Sequence, residues 1–142
     1  MLIGIDPILN PDILHALRAM GHGDEIVIAD GSFPAETVAR RLVRMEASDM
    51  PRMLRAVLSV LPIDESEPDP VLGMEVIGEP DTLMPAHRAI EAILGEVTAG
   101  AVGLKRIERF AFYERSKQAF AVIATGERLF YGNVIIRKGT VA

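Results

Sequence analysis

The sequence predicts an α/β fold in which helices cover both faces of a central sheet, mostly parallel or mixed. Three observations predict it. Short apolar runs rich in β-branched residues, such as Ile26-Val27-Ile28-Ala29, read as strands covered on both sides. Segments with apolar residues at helical spacing alternate with these runs along the chain. Most of those segments open on a capping residue or a proline, which marks where each helix starts. A chain of 142 residues fits one domain, taken as 1–142, with a core large enough to need no staples.

Asn10 reads as the N-cap of the first helix, Pro11 as its first residue and Asp12 as an anion at its positive end. Ile13, Leu14, Leu17 and Met20 form its apolar face, and Gly21 is expected to supply a left-handed C-cap. The strand at 26–29 follows, then a loop at Asp30-Gly31-Ser32. Pro34 opens a second helix expected to include Glu36 to Arg41. Ser48-Asp49 and Pro51 head a third, carrying Leu54, Val57, Leu58 and Leu61, and Pro62 stops it. Asp64 to Pro70 is acidic and proline-rich and reads as a surface loop. Val71 to Ile77 reads as a strand weakened by Gly73. Pro85 begins a helix with Ile90, Ile93, Leu94 and Val97 on its buried face, ending near Gly100. Arg109 to Arg115 opens another helix, its aromatics leaving strand as the alternative. Phe120 to Thr125 is a strand, Gly126-Glu127 a turn and Asn133 to Arg137 the last strand.

Composition narrows the function. Apolar residues make up 49% of the chain beside 25% charged ones, yet no apolar run could span a bilayer. The excess apolar surface points to a homo-oligomer and away from a membrane. The amino terminus shows neither a basic n-region nor an apolar h-region, so no signal peptide is expected. The lack of cysteine excludes disulfides, thiolate catalysis and cysteine-held metals, and agrees with a cytoplasmic address. A net charge of -5 with scattered Lys and Arg argues against nucleic acid as a partner.

Several chemistries drop out on spacing. Gly21-His22-Gly23 precedes a strand, the reverse of a dinucleotide fingerprint, and no P-loop is present. No two histidines have metal-ligand spacing; His15 is expected to face solvent and His87 to be partly buried. Ser32 and Ser116 lack any nucleophile-elbow context. No metal or cofactor is expected.

His22 is the leading catalytic candidate. Histidine exchanges protons near neutrality, and the flanking Gly21 and Gly23 let a ligand come close. The competing reading is an exposed loop residue beside a helix cap; the second glycine and Asp24 favour function. Asp30 stands at the carboxyl end of a buried strand, where ligands gather in open α/β sheets, although alone it reads as a plain loop residue. Arg109 and Tyr113 lie one helical turn apart and could share a ligand-facing side, or be a surface Arg beside core aromatics. From spacing alone, Tyr131-Gly132-Asn133 is a β-turn; it could also offer a hydroxyl, an amide and open backbone to a polyol.

These pieces together resemble the L-fucose mutarotase and D-ribose pyranase family of sugar anomerases. The resemblance runs from Ile5 to Gly139. It rests on Met20 to Glu25, Asp30 with Phe33-Pro34-Ala35, Arg109 to Arg115, Ala119-Phe120-Ala121, and Thr125 to Arg128 followed by Tyr131-Gly132-Asn133. It implies a three-layer α/β/α subunit in a ring, commonly a decamer, with sites between neighbouring subunits and a monosaccharide ligand. By the same resemblance His22 is the proton donor, while Asp30, Arg109, Tyr131, Gly132 and Asn133 bind sugar. The implied activity is exchange of L-fucose anomers by acid–base ring opening and closure. The alternatives are a D-ribose pyranase-type activity or a non-catalytic monosaccharide-binding oligomer. On this reading Asp30 orients either the imidazole or a sugar hydroxyl, Arg109 and Asn133 hold hydroxyls, and Tyr131 packs on the ring. The fucose branch is the closer, with two departures, Gly31-Ser32 and Leu129-Phe130, either of which could alter substrate preference.

Overall fold

Helix starts follow the caps. In the computed structural model, which describes all residues 1–142, the Asn10 side chain accepts from Ile13 N at 2.9 Å and opens α1 (Pro11–Ala19). Asp49 accepts from Arg52 N at 2.9 Å to open α3 (Met50–Leu58). Glu108 does the same from Ala111 N at 3.0 Å for α5 (Arg109–Gln118), which settles that segment as helix. Between them lie β1 (Glu25–Ala29), α2 (Ala35–Val38), β2 (Leu42–Met45), β3 (Val71–Met74), α4 (Pro85–Thr98) and β4 (Lys105–Ile107). β5 (Ala121–Thr125) and β6 (Val134–Arg137) close the chain.

The six strands form one mixed sheet in the order β2-β5-β1-β6-β3-β4. All run parallel except β6, which is antiparallel to both its neighbours. Ile26 and Ile28 of β1 face a layer of α1, α3 and α4, where Ile13, Met53, Leu54 and Ile90 are fully buried. Val27 and Ala29 face the thinner opposite layer with Phe33, Val38 and Phe112. The expected three layers follow directly from this alternation.

The orientation of β6 decides where chemistry can sit. The segment leaving β5 must cross the carboxyl end of β1 to enter β6, so Glu127 to Asn133 lie over Asp30. The carboxyl ends of β3 and β4 share that edge, which brings Met74 and Arg109 there too. At the opposite edge, Gly23 N donates to Lys138 O at 2.9 Å and Asp64 N to Arg137 O at 3.0 Å. His22, Asp64 and Arg137 therefore gather at the amino end of β1.

Several expectations are corrected. Gly21 is not left-handed: Met20 ends α1 in an extended conformation, and Gly23, at φ 88°, makes the turn. The second helix is only four residues long and excludes Arg41, because the chain turns at once into β2. β2 and β4 are partly exposed edge strands interrupted by Arg44 and by Lys105 and Arg106, so neither shows the unbroken apolar run that betrays a buried strand. β3 stops at Met74, short of Ile77. Val97 is 47% exposed, and His87 is fully buried. Asp64, expected on the surface, is 3% exposed.

Candidate active site

At the carboxyl end of β1, Asp30 and Asn133 bond twice. Asp30 N donates to Asn133 Oδ1 at 2.8 Å, and Asn133 Nδ2 donates to Asp30 Oδ2 at 3.1 Å. Ser32 N adds a bond to Asp30 Oδ1 at 3.0 Å. Burial pushes the Asp30 carboxyl above its ordinary value, opposed by bonds from the Ser32, Gly132 and Phe33 backbone and the Asn133 amide. Arg109, on the first turn of α5, lines the same cleft of about 350 Å³, within the range of small-ligand sites. Its Nε is buried without a partner, an unusual state for a guanidinium.

The crossing segment is built for this place. Tyr131 has φ 62°, a left-handed conformation that a bulky residue adopts only under constraint. Its hydroxyl accepts from Ile77 N at 3.2 Å, which ties the segment to the chain beyond β3. Gly132 is obligatory for want of space: a Cβ there would lie 2.8 Å from Glu127 Cγ and 3.1 Å from Leu129 O. Glu127 is buried; its Oε1 accepts from Arg128 N and Leu129 N, both at 2.7 Å, and its Oε2 from Met50 N at 3.2 Å. The residue read as a plain turn is thus the clamp holding the segment to α3.

The amino end of β1 carries a second constellation. His22 Nε2 lies 3.1 Å from Asp64 Oδ2, which also accepts from Arg137 Nε at 2.9 Å, while Ser66 Oγ donates to Asp64 Oδ1 at 2.6 Å. The bonds from Ser66 and Arg137, with the imidazole adding to them, outweigh burial and lower the Asp64 carboxyl to about 2. Gly23 leaves room for the guanidinium, since a Cβ would meet Arg137 Nη2 at 2.9 Å. The imidazole is half exposed and opens on a cleft of about 510 Å³ walled by Leu58, Leu61 and Val97.

The sequence-named residues thus separate. Asp30, Arg109, Tyr131, Gly132 and Asn133 come together; His22 does not join them. A five-residue strand lies between, or about 17 Å at the usual rise of a strand. Asp30 shares no bond with the imidazole of its own chain, and Asp64 takes the orienting role expected of it. Asp64 and Glu127 were missed because each stands in a polar stretch whose burial is decided by distant partners. No three His, Asp or Glu side chains converge to hold a metal ion. No helix is long and apolar enough to cross a membrane.

Fold and cleft define an α/β protein with a buried carboxylate, an amide and a guanidinium lining one small cleft at the end of a central strand. Residues 3–141 match the RbsD / FucU transport protein family, and the chain belongs to it. It is 45% identical over 148 residues to the fucose mutarotase of Homo sapiens, covering 99% of this chain and 95% of that protein. The fucose mutarotase of Streptococcus pneumoniae, solved in complex with L-fucose, superposes with a TM-score of 0.86 at 34% identity, over 99% of this chain and 100% of that one. RbsD of Bacillus subtilis, solved with D-ribose, shares the fold at a TM-score of 0.73 and 21% identity, over 100% of both chains.

Proposed function

We propose that this protein is a sugar mutarotase, an isomerase that interconverts the α and β anomers of L-fucose. The observation that carries the reading is the buried Asp30–Asn133 pair facing a guanidinium whose Nε has no partner. Its support from relatives is the family match and the similarity to fucose mutarotases. The pyranase-type alternative is weaker, because the ribose-bound relative is similar in fold alone.

The reaction needs one proton placed on the ring oxygen and one removed from the anomeric hydroxyl; the C1 carbonyl then turns its face and the ring closes. Only proton transfers are required, and a positioned acid or base supplies roughly 10²–10⁴ in rate. His22 carries the proton. With Nε2 bonded to Asp64, Nδ1 is the ring nitrogen left for substrate. Asp30 and Asn133 hold sugar hydroxyls, Arg109 donates to another, and Tyr131 packs its ring on the pyranose.

Because β1 holds His22 away from Asp30, the acid of each site comes from a neighbouring copy, and the working protein is a homo-oligomer. A ring, with the decamer as the expected size, gives every cleft such a neighbour. Its place is the cytoplasm, in keeping with a chain that has no cysteine.

Saturation-transfer NMR on L-fucose at equilibrium tests the reading, with D-ribose alongside. Exchange is expected to be fastest for fucose and to fall to the uncatalysed rate in His22→Ala. Wild-type exchange persisting in that variant would remove His22 from the mechanism. Faster exchange of ribose would favour the pyranase alternative, and no acceleration of either sugar would leave a binding protein.

A further inference from the structure

The Asp30 cleft has two unlike sides. Asp30 and Arg109 present polar groups, whereas Met74, Ile77 and Phe130 with the ring of Tyr131 form an apolar wall. Ile77 is 56% exposed and Phe130 72% exposed, large apolar groups left in water at the mouth of the cleft. Such surface marks contact with something apolar.

The wall is braced from behind. The bond from Ile77 N to Tyr131 Oη fixes one end. Under Met74, the buried His87 accepts from Met84 N at 3.0 Å through Nδ1, so its Nε2–H donates to Met74 O at 2.8 Å. No side chain of Met74, Ile77 or Phe130 offers a strong hydrogen-bond partner; the Tyr131 hydroxyl accepts from Ile77 N and keeps its own proton to donate.

Resting on the mutarotase reading, we propose that this wall receives the carbon substituent at C5 of the sugar and selects a methyl group over a hydroxymethyl group. L-fucose and L-galactose share every ring hydroxyl and differ only there. A methyl against the wall removes apolar surface from water on both partners. A hydroxymethyl oxygen set against Met74, Ile77 and Phe130 gives up water and gains no partner from them. Apolar pockets reject an added hydroxyl by up to about 10², so the expected preference is about 10- to 100-fold in kcat/KM.

The experiment compares L-fucose and L-galactose by saturation-transfer NMR, with affinities by calorimetry, for wild type, Ile77→Asn and Phe130→Ser. Both side chains are exposed, so neither change threatens folding. The expected result is a fucose preference of at least tenfold in wild type that shrinks several-fold in each variant. Equal handling of both sugars by active wild type overturns the wall and leaves the mutarotase reading standing. An unchanged ratio in variants that lose assembly mass assigns the two residues to subunit contact and likewise overturns it. If wild type accelerates no exchange, the mutarotase reading fails, and the calorimetric ratio decides the wall: tighter fucose supports it, equal affinity overturns it.

Discussion

Asp30 keeps its carboxylate buried at the carboxyl end of β1. Its charged form is disfavoured by burial, and four hydrogen-bond donors only partly restore it. Because the shift is upward, Asp30 takes up a proton at a higher pH than an ordinary aspartate, whose value is about 3.9. Binding through the ionised carboxylate therefore weakens as pH falls, from a midpoint above that value. The KM for L-fucose is expected to rise along this acid limb, and a limb centred at or below about 3.9 would contradict the role. Asp64 is the opposite case. Its carboxyl is lowered to about 2, so the stability it contributes is fully present above the unfolded aspartate value and lost as pH falls through about 2. Asp64→Asn is expected to flatten the pH dependence of unfolding between those limits. It should also slow anomer exchange by about ten- to a hundredfold, less than loss of His22, since it removes only the orientation of the acid. A wild-type rate in that variant would show the imidazole needs no carboxylate.

Elements inherit their legibility from how much of their pattern is local. α1, α3 and β1 were readable because capping residues and a four-residue apolar run lie within their own few positions. β2 and β4 were not, since each lies at a sheet edge and what makes it a strand is its partner: Val43 pairs with Ile123, and Gly73 with Arg106. The segment from β5 to β6 is the same problem at the site. Tyr131, Gly132 and Asn133 were readable as a polar turn, and only a resemblance marked them for sugar. The crossing over β1, the Glu127 clamp and the strained Tyr131 all follow from β6 entering between β1 and β3. Gly132→Ala tests that segment directly. Its Cβ would press on Glu127 Cγ and Leu129 O, and overpacking of this kind costs about 1–3 kcal/mol. Chemical denaturation should register that loss, accompanied by a larger fall in kcat/KM as Asn133 leaves Asp30. An alanine variant of unchanged stability and activity would mean the segment is free to shift.

At the scale of the whole molecule, one strand sets which groups a single copy can bring together. The rigid, fully paired β1 fixes His22 at one edge of the sheet and Asp30 at the other, with parallel β5 and antiparallel β6 bonded along its sides. No loop motion within a subunit can bring them together without dismantling the centre of the sheet. If the proposed reaction needs both, the site must be completed by symmetry, each copy lending its imidazole to a neighbour and borrowing one in return. That arrangement makes a quantitative prediction. Subunits carrying His22→Ala and subunits carrying Asp30→Ala are each expected to be inactive alone. Mixed by joint refolding at equal amounts, one junction in about four pairs an intact His22 with an intact Asp30, so about a quarter of wild-type exchange should return. A site confined to one subunit recovers nothing, because every chain in the mixture lacks one of the two groups. Recovery that follows the product of the two subunit fractions as the mixing ratio is varied would count the contributors at two per site.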